Sequence, residues 1–191
     1  MSRLSKQKAS LRRWRKRKNR LRRLYIAAKR TVRRKKKAVA SYATPVNSIN
    51  GTHFSWEEAL HNSGYTSLAK VPPAVSSRVK IHAANMERLR AKVNDARGAH
   101  GLSETSVNVI SWIRSPAHNR AVGGASQSRH MQGDATDIAR EEILRLFPWK
   151  NGPRDFDNIL DSVFAAGGVG LYLPGNRHCD SRGYRARWTI A

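Results

Sequence analysis

Nineteen lysines and arginines fall within residues 1–40, and no acid accompanies them. A segment charged in this way cannot enter an apolar core, because its charges would lose water without gaining partners. The chain therefore divides into a basic arm, residues 1–40, and a body. The body holds the other 18 basic residues and all 13 acids, a net of +5 out of +24 for the 191-residue chain. A body of this size can bury one core. Its single cysteine, Cys179, excludes a disulfide framework. No run of about 18 apolar residues exists to cross a membrane. The longest apolar stretch near the start, Leu24 to Ala28, is cut by Lys29 and Arg30 and is too short for a secretory signal.

Within the arm, Leu4, Leu11, Trp14, Leu21, Tyr25, Ala28 and Val32 recur at spacings of 3, 4 and 7, which predicts a helix with a narrow apolar stripe. Charge repulsion opposes that helix in water. Composition leaves four states open: a solvated tail, or one bound to nucleic acid, to an anionic membrane surface, or to an anionic cell-wall polymer. Residues 41–52 carry Pro, Asn, Ser and Gly and read as a linker to a domain over 53–191.

In the body, Ser55 and Glu58 have capping-box spacing and predict a helix to about His61. Val71 to Pro73 reads as a turn. Ser76 or Ser77 is expected to cap a longer helix to about Arg97, with Val79, Ala83, Met86 and Val93 on one side. Val107 to Ile113 reads as a buried strand, and the Asn-, Gly- and Ser-rich stretch after Pro116 as a loop to about Gln127. Ala135–Ile138 predicts a short strand. A helix through Ile143 and Phe147, then one capped by Asp155, precede three late strands: 169–173, 177–181 and 187–190. Helices first and strands late predict an α+β fold with a small, mainly antiparallel sheet and flanking helices.

Two of the seven histidines have unusual neighbours. Ser128, His130, Gly133, Ala135 and Asp137 follow one another as Ser-x-His-x-x-Gly-x-Ala-x-Asp. Gly133 permits a tight turn after the histidine, and Ala135 and Asp137 share a strand face. His178 and Asp180 share the opposite face from Cys179 on a later strand. Two imidazoles and a carboxylate on separate strands can hold zinc with one position open, although the same residues also suit an ordinary polar turn.

The ten-residue motif from Ser128 to Asp137 resembles the zinc D-alanyl-D-alanine carboxypeptidase and L-alanyl-D-glutamate endopeptidase family, whose fold is shared with the hedgehog signalling domain. The approach, Ser111 to Asn119 and then Val122-Gly123-Gly124, is similar as well. So is the ending: Gly168 to Tyr172, His178-Cys179-Asp180, Arg182-Gly183 and Ala186-Arg187-Trp188. That ending resembles a branch frequent among endolysins of actinobacterial phages. The resemblance spans about residues 53–190 and leaves out the arm.

It implies His130, Asp137 and His178 as zinc ligands, Arg114 facing a substrate carboxylate, and Ser128 orienting the ligand loop or a substrate carbonyl. Many members carry Glu-x-x-His-x-His, with the Glu as general base. Here Gly175 and Asn176 occupy that stretch, and no acid lies between Asp161 and His178. Asp180 is then either the base or the outer partner of a ligand.

The expected activity is zinc-dependent hydrolysis of the peptide stem of peptidoglycan, at the L-Ala–D-Glu or the D-Ala–D-Ala bond, as in a phage endolysin. Such a protein is made in the host cytoplasm and reaches the wall after holin-type release or from a virion. The competing expectations are a virion-associated structural protein with a local peptidase domain, and a wall-binding module that retains zinc without catalysis.

Overall fold

The computed structural model describes residues 47–173 and 175–190. The arm and residues 41–46 of the expected linker lie outside the described residues. The rest of that linker is built into the domain. Ile49, Asn50, Gly51 and Thr52 form a tight turn in which Asn50 and Gly51 both take positive φ (54° and 77°) and Thr52 N donates to Ile49 O. An Asn-Gly pair suits such a reversal. The turn lets Ser48 bridge to Ser55 and buries Ile49 completely beside Phe54.

The helix α1 (Trp56–Leu60) starts at the expected capping box. Ser55 Oγ accepts from Glu58 N at 3.1 Å, and Glu58 Oε2 accepts from Ser55 N at 2.7 Å. A 3-10 turn, Leu68–Lys70, leads into α2 (Pro73–Ala99). This helix begins earlier than the serines suggested. Pro73 sits in its first turn, where the missing N–H costs nothing, and Ser76 instead donates to Pro73 O. Its 27 residues span about 40 Å, with Val79, Ala83, Met86, Leu89 and Val93 facing the core.

Val107 to Ile113 is extended and buries Val107, Trp112 and Ile113, but it is not a strand. Only Ser111 bridges to Asp137, because the chain turns away at Arg114 to donate its N–H to His130 O. The expected loop contains α3 (Pro116–Ala121), capped by Ser115, and the single turn α4 (Arg129–Gln132) follows it. Next come β1 (Ala135–Ile138), α5 (Arg140–Leu146) and α6 (Gly152–Val163). Asp155 does not cap α6; its carboxylate accepts from Trp149 Nε1 at 2.8 Å. The late strands are β2 (Gly168–Tyr172), β3 (Arg177–Asp180) and β4 (Ala186–Ile190).

The fold is α+β, with a four-stranded sheet in the order β1-β3-β2-β4. β3 pairs antiparallel with both β1 and β2, and β4 runs parallel to β2. Strand alternation divides the sheet chemically. Thr136, Val169 and Cys179 face the helices, where Thr136 Oγ1 and Cys179 Sγ lie 3.2 and 3.8 Å from Met86 Sδ. Asp137, Gly168, Gly170, His178 and Asp180 alternate with these and face the other way.

One polar side chain crosses the helix–sheet layer. His82 of α2 is fully buried, with Nδ1 2.7 Å from Ser181 Oγ and Nε2 3.2 Å from Thr136 Oγ1. Trp112 meets its ring edge-on at 5.5 Å. Burial, reinforced by the positive neighbours His178, His130 and Arg129, pushes its pKa from 6.5 down to about 3. The unfolded chain therefore takes up this proton first on acidification. The stability contributed by neutral His82 is complete above about pH 6.5 and is lost as pH falls towards 3. In metal-free protein, the stability difference between wild type and His82→Gln is expected to shrink by about 1 kcal/mol per pH unit between pH 6 and 5. Urea unfolding across that range measures it, and a pH-independent difference would contradict the neutral buried ring.

Candidate metal centre

The site forms where a one-turn helix meets two paired strands. His130 rides on α4, which ends at Gly133 with φ of +86°. A Cβ at Gly133 would stand 2.6 Å from the carbonyl oxygen of Val75 and 2.8 Å from its Cγ1, so the turn packs directly on α2. Two residues after Gly133, β1 begins. Its Asp137 lies opposite His178 of β3, and Ala135 lies opposite Asp180. Cys179 points to the other face, fully buried, and burial raises its thiol pKa well above the usual range. It belongs to the core.

Three donor atoms converge. His178 Nδ1 is 2.9 Å from Asp137 Oδ1, His130 Nε2 is 3.2 Å from Asp137 Oδ2, and the two imidazole nitrogens are 3.3 Å apart. Among the described residues, His130, Asp137 and His178 form a group whose ligand atoms all lie within 4.8 Å of one another. Both histidines are buried. For Asp137 burial favours the neutral acid, but its bonds to the two imidazoles prevail and hold its pKa well below the carboxylate range. For His178 burial lowers the pKa, and its bonds to Asp137 and Asp180 more than offset this.

The outer nitrogens fix the tautomers. His130 Nδ1 lies 2.5 Å from Trp112 O, an acceptor only, so Nδ1 carries the proton and Nε2 presents a lone pair. His178 is turned the other way: Nε2 faces Asp180 Oδ2 at 3.2 Å, leaving Nδ1 for the centre. Two imidazoles oriented by outer acceptors, plus one carboxylate, match the donor set of an open zinc site with three protein ligands. The residues fit zinc.

Asp180 thus brackets His178 from behind. It is fully buried, and its Oδ1 accepts from Gly168 N and Arg182 N at 3.1 Å each and from Arg182 Nε at 2.8 Å. Arg182 NH2 reaches Oδ2 at 2.6 Å. Burial opposes ionisation here too, but the His178 and Arg182 bonds hold the pKa well below the carboxylate range. Of the two roles open in the sequence, this geometry favours the outer partner over the base, because the carboxylate addresses the imidazole nitrogen that points away from the other donors.

Arg114 reaches the cluster from the extended segment. Its NH2 donates to Asp137 Oδ2 at 2.8 Å and its Nε to Ser111 Oγ at 3.1 Å. The guanidinium is therefore at the site, anchored to a candidate ligand. Ser128 precedes α4 and is half-buried; its backbone C=O accepts from Met131 N, and its side chain makes no capping bond.

Sequence reasoning assigned no role to the aromatic wall. Trp188 packs on His178 (ring centroids 5.3 Å apart), and Tyr172 meets the same ring edge-on at 6.1 Å. A Cβ at Gly170 would collide with the Trp188 indole at 2.5 Å, so only glycine there admits the indole. The signal available was Gly168-Val169-Gly170, a stretch of strand whose site face carries no side chain before Tyr172.

Residues 61–146 match the family model described as Peptidase M15. The match takes in Arg114, Ser128, His130 and Asp137 and ends before β2, so His178 and Asp180 rest on the geometry. No curated protein matches the chain.

Gly133→Ala is expected to cost about 1–3 kcal/mol from the positive φ alone, with more from the contact with Val75, and to weaken zinc binding because His130 shares the turn. Thermal melting with and without zinc measures both. An unchanged melting temperature would contradict the packing of this turn on α2.

Proposed function

We propose that the chain is a zinc-dependent peptidase that hydrolyses the peptide stem of bacterial peptidoglycan, a reading supported by the match of residues 61–146 to the peptidase M15 family model. The observation that carries this reading is the convergence of His130 Nε2, His178 Nδ1 and the Asp137 carboxylate, with both outer imidazole nitrogens engaged by acceptors.

His130, Asp137 and His178 hold the metal. The chemistry that zinc supplies when bound is Lewis acidity towards a peptide carbonyl and the acidification of water. The chain's own residues prepare the place. Trp112 O and Asp180 keep each histidine's proton on its outer nitrogen. Arg114 stands beside Asp137, and its planar guanidinium suits a carboxylate of the stem peptide. Ser128, at the start of the His130 turn, orients that turn or a substrate carbonyl. Trp188 and Tyr172 cover the His178 ring and limit access of water. The endolysin-like ending favours the L-Ala–D-Glu bond over the terminal D-Ala–D-Ala bond.

The arm supports action at the envelope, where 19 positive charges meet anionic polymers. Deleting residues 1–40 is expected to leave hydrolysis of small soluble muropeptides unchanged and to weaken lysis of whole cells. Raising salt from 0.1 to 1 M, which shortens the screening length from about 10 to about 3 Å, should mimic the deletion. Equal lysis by both forms would move the arm's partner to nucleic acid or a virion component.

Digestion of purified peptidoglycan, read by mass spectrometry of the products with and without chelator, tests the activity. The expected result is chelator-sensitive release of new peptide termini by wild type and none by His130→Ala, which should also lose zinc by elemental analysis. Zinc bound without any product would leave a wall-binding module in place of a peptidase.

A further inference from the structure

We propose that Arg182 is a positioning residue for the metal centre: held between two aromatic rings, it fixes Asp180, and through Asp180 the orientation and tautomer of His178. The proposal deepens the zinc-peptidase reading and rests on it.

Arg182 touches none of the three candidate ligands by hydrogen bond. It meets Asp180 side-on, Nε to Oδ1 at 2.8 Å and NH2 to Oδ2 at 2.6 Å, a two-point pairing that fixes the plane of the carboxylate. Its guanidinium carbon lies 4.9 Å from the Trp188 ring centroid and 5.6 Å from that of Tyr184. Trp188 in turn packs on His178 at 5.3 Å. The same arginine thus steadies both things that His178 leans on, the carboxylate behind its Nε2 and the indole on its face.

The surroundings leave no other arrangement. Asp180 is fully buried and needs a compensating charge, which Arg182 supplies. A Cβ at Gly168 would overlap Asp180 Oδ2 and stand 2.8 Å from Arg182 Nε, so this bare stretch of β2 is the slot in which the pair lies. With its oxygens taken by Arg182 and by the backbone of residues 168 and 182, Asp180 can only accept at His178 Nε2. The histidine must then keep its proton there and present Nδ1 to the centre. Lysine would keep the charge and lose the two-point grip.

The test is zinc affinity, measured by competition with a chromogenic chelator, on wild type, Arg182→Met, Arg182→Lys, Asp180→Asn and the Asp180→Asn/Arg182→Met pair. Near-ultraviolet circular dichroism checks that each is folded. Histidine 15N spectra read the His178 tautomer. Arg182→Met is expected to bind zinc roughly 10–100-fold more weakly, with Arg182→Lys in between. The double variant should be no weaker than Asp180→Asn alone, because the arginine acts through the aspartate. His178 should lose its single Nε2–H form in Arg182→Met.

Wild-type affinity in folded Arg182→Met, or losses that simply multiply in the double variant, would overturn the proposal. If Arg182→Met does not fold, Arg182→Lys decides, and wild-type zinc affinity there overturns it as well. Failure of wild type itself to bind zinc would instead overturn the metal-centre reading on which the proposal stands.

Discussion

Two imidazole nitrogens stand 3.3 Å apart with a carboxylate beside both. Such a cluster presents lone pairs to one point only if each ring keeps its proton on the far side. Trp112 O supplies the acceptor for one ring and Asp180 for the other, and much of the domain serves to hold those two acceptors still. The extended segment 107–113 makes one bridge to β1, between Ser111 and Asp137, and Trp112 is buried next to it, which puts its carbonyl under His130. The glycines of β2 clear the space in which Asp180, Arg182 and Trp188 lie. His82 ties α2 to Thr136 and Ser181, each one residue away from a site residue in sequence.

The sheet separates stability from chemistry by alternation. Thr136 and Cys179 face Met86 and the helices, while their neighbours Asp137, His178 and Asp180 face the site. A change on one face is therefore felt through the backbone rather than through direct contact. That explains how a site with four buried charged or polar side chains can sit on a sheet whose other side packs on the helices.

Much of this was legible in the sequence. The capping box at Ser55, the long apolar face of α2 and the late strands followed from local pattern, and the motif from Ser128 to Asp137 pointed to the turn that brings His130 to Asp137. Other features were not, each for a physical reason. The Asn50-Gly51 reversal reads as linker in the sequence because a polar stretch hides the return of Ile49 to the core. The β-branched run 107–113 looks like a strand but meets only an edge of four residues. The role of Asp180 depends on which nitrogen of His178 it faces, and strand periodicity puts both residues on one face without deciding that. Arg182 lies beyond the end of β3, where no periodicity speaks, and its contacts with Asp180, Trp188 and Tyr184 appear only in the fold.

The proposed metal position is the point where opposite nitrogens of the two histidines meet the Asp137 carboxylate. Anomalous X-ray diffraction from crystals of the zinc-loaded protein tests it most directly. The expected result is one zinc ion bonded to His130 Nε2, His178 Nδ1 and the Asp137 carboxylate, with Asp180 still against His178 Nε2. Zinc bonded through the outer nitrogens, or seated away from these three side chains, would contradict it.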